Sequence, residues 1–163
     1  MQKTVLGPGF GEVDSDEIDH ARFSFGVATD HPDHKRVVLS GLAADGETVG
    51  EQTRETLELV ERTLADVGGS MDDLVTMRWF VDSSILSRET QTRLHEVRAE
   101  FFDPPHYPAS TMVGAELLGD DVLVEIEAEA EVPNDEWKTT AIVGRDHEEL
   151  TASEARELLL EDE

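Results

Sequence analysis

Four glutamates, Glu125, Glu127, Glu129 and Glu131, alternate with Val124, Ile126, Ala128, Ala130 and Val132. In an extended chain, residues two apart share a face, so the carboxylates line one side and the apolar residues the other. A carboxylate so placed can take a proton from water if its surroundings hold its pKa near the working pH. Neighbours on such a ladder sit about 7 Å apart, at a cost of roughly 0.6 kcal/mol per adjacent pair in water before screening. At molar salt the Debye length is about 3 Å and most of that cost vanishes. The ladder therefore reads as an acidic surface, and spacing alone does not say whether one of its carboxylates does chemistry.

Other reactive side chains are scattered. His31-Pro32-Asp33-His34 reads as a solvated turn rather than a metal site, and Ser40 lacks the G-x-S-x-G elbow of a nucleophile. No Gly-rich phosphate loop opens a helix, and no zinc or calcium motif is present. Cysteine is absent, which removes disulfides and thiolate chemistry. Neither a metal nor an organic cofactor is expected.

The elements that must position these residues follow from periodicity. Residues 1–20 are rich in turn formers and read as irregular chain. Arg22–Ala28 and Lys35–Gly41 read as a strand pair joined by the 31–34 turn. Val49, Thr53, Leu57, Val60, Leu64 and Val67 keep helical spacing, with a Thr48/Glu51 capping box before them and Gly68-Gly69 after. Asp73–Asp82 alternates as a strand, with Trp79 and Phe80 on opposite faces. Leu86, Thr90, Leu94, Val97 and Phe101 mark a second helix, stopped by Asp103-Pro104-Pro105. Ala109–Leu117 and Val122–Val132 read as a closing hairpin turned by Leu118-Gly119-Asp120-Asp121. The order ββαβαββ is that of an α+β fold, a mixed sheet with two helices on one face. Residues 133–163 form an acidic extension in which Thr151 and Glu154 cap a short helix.

Asp plus Glu number 38 against 13 Lys plus Arg, a formal net charge of -25. Acid spread over the whole chain suits a surface adapted to molar salt, as in a halophilic archaeon. The same charge argues against a nucleic-acid partner, since phosphate binding needs clustered Lys or Arg. The sequence holds no apolar run long enough to span a membrane, and a cytoplasmic protein is expected.

Three stretches together resemble the Rid family of reactive-intermediate imine and enamine deaminases. They are Val38-Leu39-Ser40-Gly41, the helix and strand entry over 51–75, and the segment from Tyr107 to Val132 with its Val-Glu-Ile-Glu-Ala run. The likeness covers residues 21–132. It implies a chorismate-mutase-like sandwich, a homotrimer, and a small-molecule pocket at each subunit interface. The family's acidic residue, which handles the hydrolytic water, corresponds to Glu125. Its pocket asparagine corresponds to His95, its pocket-closing tyrosine to Phe23, and its Ser-Gly serine to Ser40. The arginine of the family's Pro-x-Arg-Ser/Thr motif, which grips a substrate carboxylate, corresponds to Ser110 in Pro108-Ala109-Ser110-Thr111. Arg22, beside Phe23, is the nearby cation expected to reach in. The implied activity is hydrolysis of a small imine with release of ammonia and an altered substrate preference. The alternative is a non-catalytic trimer that binds a metabolite or protein.

Overall fold

A computed structural model describes residues 1–11, 13–144 and 148–161. Six strands form one sheet: β1 (Lys3–Pro8), β2 (Ser24–Asp30), β3 (His34–Leu42), β4 (Leu74–Asp82), β5 (Ala109–Ala115) and β6 (Val124–Pro133). Two helices, α1 (Val49–Ala65) and α2 (Arg88–Arg98), pack on one face. Strands β7 (Thr140–Val143) and β8 (Glu148–Thr151) pair separately and lead into α3 (Ala152–Glu161). The fold is α+β with a mixed sheet, in agreement with the sequence.

The spatial order is β1-β2-β3-β6-β4-β5. This order corrects the closing hairpin. Strand β5 pairs in parallel with β4 at the sheet's edge, whereas β6 runs antiparallel between β3 and β4. Burial accords with this order: alternate residues of β6 from Val124 to Ala130 are at most 1 % exposed, whereas no residue of β5 is buried. The N-terminal stretch also departs from the irregular chain expected, because Lys3–Pro8 adds to the sheet beside β2.

The core lies between sheet and helices. Val37 and Leu39 of β3, Met77, Trp79 and Val81 of β4, and Ile126 of β6 meet Leu57, Val60 and Leu64 of α1 and Leu94 and Val97 of α2. The capping box at Thr48 and Glu51 forms as expected, and Gly68, at φ +83°, turns the chain out of α1. Thr151 and Glu154 exchange hydrogen bonds at the start of α3. Asp162 and Glu163, the end of the expected C-terminal helix, lie outside the described residues.

Candidate functional site

Residues two apart on β6 face away from the helices and carry the carboxylate ladder. Strands β3 and β4 place an arginine or histidine beside three of its four members. His34 Nε2 lies 2.8 Å from Glu131. Arg36 lies 3.0 Å from Glu129, and Arg78 bridges Glu127 and Glu129 at 3.3 Å each. Chiefly through its hydrogen bond with Arg36, Glu129 has a carboxyl below the ordinary glutamate range. Three of the four glutamates are thus held by cross-strand partners, in addition to any screening by salt.

Glu125 is the exception. It sits opposite Phe80 of β4, and no cation pairs with it among the described residues. Burial first, and the charge of Glu127 second, push its carboxyl above the ordinary value. Its space comes from Gly41: a Cβ there would lie 2.0 Å from the Glu125 carboxylate oxygen. The β3–β6 register shifts between Leu39 and Leu42, so the Ser40-Gly41 pair forms a bulge beside Glu125. Ser40 Oγ donates to the Ser24 carbonyl at 2.7 Å, and Ser40 lines a groove of about 380 Å³ with Val38, Arg78 and Glu127.

His95 and Ser110 lie elsewhere. Both line a cleft of about 510 Å³ on the helix side of the sheet, with Arg98, Phe102, Tyr107 and Leu160. The register explains the separation. Ser110 is level with Met77, which points into the core, whereas Glu125 is level with Phe80, three residues on. Glu125 and the His95–Ser110 cleft therefore lie on opposite faces of the sheet. Phe23 and Arg22 belong to neither cavity. Phe23 is 53 % exposed, and exposed Arg22 contacts His20 at 2.8 Å.

Arg98 was not singled out from the sequence, although its place one turn after His95 puts the two on one helix face. Among the described residues, no group of three or more His, Cys, Asp or Glu could hold a metal ion. No described helix is long and apolar enough to cross a membrane.

The fold and these residues can be set beside known proteins. The family model described as endoribonuclease L-PSP matches residues 16–132. A member of the YjgF/YER057c/UK114 family from Mycobacterium tuberculosis is 27 % identical, with a TM-score of 0.63 over 80 % of this chain and 100 % of its own. A YjgF-family protein from Neisseria meningitidis is 22 % identical, with a TM-score of 0.64 over 83 % of this chain and 98 % of its own. A protein of the Rid family from Yersinia pestis is 19 % identical, with a TM-score of 0.61 over 80 % of this chain and 100 % of its own. The chain belongs to the endoribonuclease L-PSP family, which includes the YjgF and Rid proteins.

Proposed function

We propose that this protein hydrolyses a small imine to the corresponding carbonyl compound and ammonia, without metal or organic cofactor. The observation that carries this reading is Glu125: alone on its ladder it has no ion-pair partner among the described residues, and burial raises its pKa above the ordinary glutamate value, the direction a general base needs. Its carboxylate takes a proton from water as the water oxygen bonds to the C=N carbon. Glu125 returns that proton to the imine nitrogen to give the carbinolamine, whose hydroxyl proton then passes to the nitrogen by way of the same carboxylate as the C–N bond breaks, the C=O bond forms and ammonia leaves. A second copy of the chain brings the His95–Ser110 cleft against Glu125, so the working unit is an oligomer, in our reading a homotrimer. Ser40 shapes the floor through the bulge it shares with Gly41, and the exposed Phe23 and Arg22 lie on the rim of the proposed interface.

The test is ammonia release from imines generated in situ by an amino-acid oxidase, followed in molar salt. Wild type should exceed the buffer rate. Glu125→Gln should lose about 10²–10³-fold of the enzymatic rate, the scale of a general base. Equal rates for wild type and buffer across charged and uncharged imines would remove the hydrolase reading.

Ser110 favours the second reading, a non-catalytic trimer, because a hydroxyl stands where a deaminase would hold an arginine. Recovery of 2-iminopropionate hydrolysis by Ser110→Arg would show the rest of the pocket to be competent. The nuclease activity named for some relatives conflicts with a net charge of -25.

A further inference from the structure

The chain beyond the matched segment 16–132 is tied to the domain at its start. Asn134 N–H donates to the Asp33 carbonyl at 3.0 Å, and Trp137 Nε1 donates to Asp73 Oδ1 at 2.7 Å. The β7–β8 pair then carries the chain into α3. There Ala155 is fully buried, whereas Leu158, Leu159 and Leu160 remain 44 %, 38 % and 45 % exposed. Three successive residues spread over roughly 200° of a helix, so packing on one face cannot cover them all.

Two contacts orient the helix. Arg156 and Leu160 are four residues apart and share a face. Arg156 Nη2 lies 3.9 Å from Asp103 Oδ1. Asp103 and Leu160 both line the cleft of about 510 Å³ between α2 and β5, together with Ala99 and Phe102. The face of α3 that carries Arg156 and Leu160 is therefore turned to the cleft. The ion pair is long and exposed, so it contributes little to holding the helix there. Leu160 acts differently. An apolar body that just reaches its side chain covers apolar surface still open to water, and a larger one collides with it. One methylene more or less against such a wall changes selection by about tenfold or more. Among the described residues α3 adds none to the main core, so Leu160 can be changed without disturbing the fold beneath.

We propose that α3 is an added wall of this cleft and that Leu160 sets the size of molecule the cleft admits. The proposal rests on the reading of the cleft as a ligand site. It assigns to residues beyond the matched segment a selection that α2 and β5 do not make by themselves.

The test uses the absence of cysteine from the chain. Ala99→Cys places a single thiol in the cleft. Its rates of reaction with methyl methanethiosulfonate and with the bulkier benzyl methanethiosulfonate are measured on the full chain in molar salt. The ratio of the two rates cancels the reactivity of the thiol itself. In this background Leu160→Ala should speed the benzyl reagent about tenfold relative to the methyl one, and Leu160→Trp should slow it by about the same factor. Leu158→Ala, roughly 200° away around the helix, should leave the ratio unchanged. A ratio that neither Leu160 variant moves, or that Leu158→Ala moves as much, overturns the proposal. So does a thiol that neither reagent reaches in any variant. The readout needs no turnover, so it separates the two ideas. A ratio that follows Leu160 without any ammonia release leaves the wall standing and sinks the hydrolase. Ammonia release with a ratio indifferent to Leu160 does the reverse.

Discussion

Glu127 and Glu129 meet arginines on neighbouring strands, Glu131 meets His34, and Glu125 meets Phe80. That difference in company gives the four glutamates different chemistry. It also has a consequence for stability. The Glu125 carboxyl titrates above its unfolded value of about 4.5 in the folded state, so folding favours its protonated form. Below the unfolded value, wild type and Glu125→Gln should be equally stable from this source. As pH rises through the raised folded value, wild type must hold a partly desolvated charge and loses stability relative to the variant. Thermal melts from pH 4 to 7 should show the variant's advantage growing with pH; a difference that stays flat contradicts the assignment. The alternation of Glu125 was legible in the sequence. Its isolation was not, because the arginines and the histidine that hold its neighbours come from β3 and β4, far away along the chain.

At the scale of elements, periodicity identified α1, α2 and the strands over 24–42, 74–82 and 109–133. It did not give their order. A strand's alternation records which faces are wet or dry but not which strand lies beside it, so β5 and β6 looked like a hairpin. The structure ties the loops around β6 through one buried side chain. Gln52 of α1 donates to the carbonyls of Gly46 and Asp121 at 3.0 and 2.7 Å, and accepts from Leu123 N–H at 2.8 Å. Replacing it with Leu strands three backbone groups, one of them leading directly into β6. The expected cost is about 2–4 kcal/mol, a fall in Tm of roughly 5–15 °C for a chain of this size. A change below 2 °C would show that water takes over these bonds.

The whole molecule leaves one sheet face uncovered. On it Val5, Phe10, Val38 and Val113 remain between 42 % and 45 % exposed, near the paired charges of β6. Exposed apolar side chains at both edges of a sheet face suit an interface, and a closed ring of three copies would bury them. The net charge of -25 opposes such an assembly when screening is weak. Light scattering should therefore report a trimer in molar salt that dissociates or unfolds as salt is removed. A particle of 18.0 kDa at high salt would rule out an intersubunit site.

The position of β6 bears on how the chain can fold. This strand is the last of the six to leave the ribosome, yet it fills the centre of the sheet. Until residues 124–133 emerge, β3 and β4 lack their shared neighbour and each keeps an unsatisfied edge, which is open to wrong pairings. The earlier strands cannot settle one after another into their final places, because the piece that joins the two halves arrives late. Contacts between residues so distant along the chain slow folding. A nascent chain released before this segment would hold two incomplete sheets rather than most of a finished one.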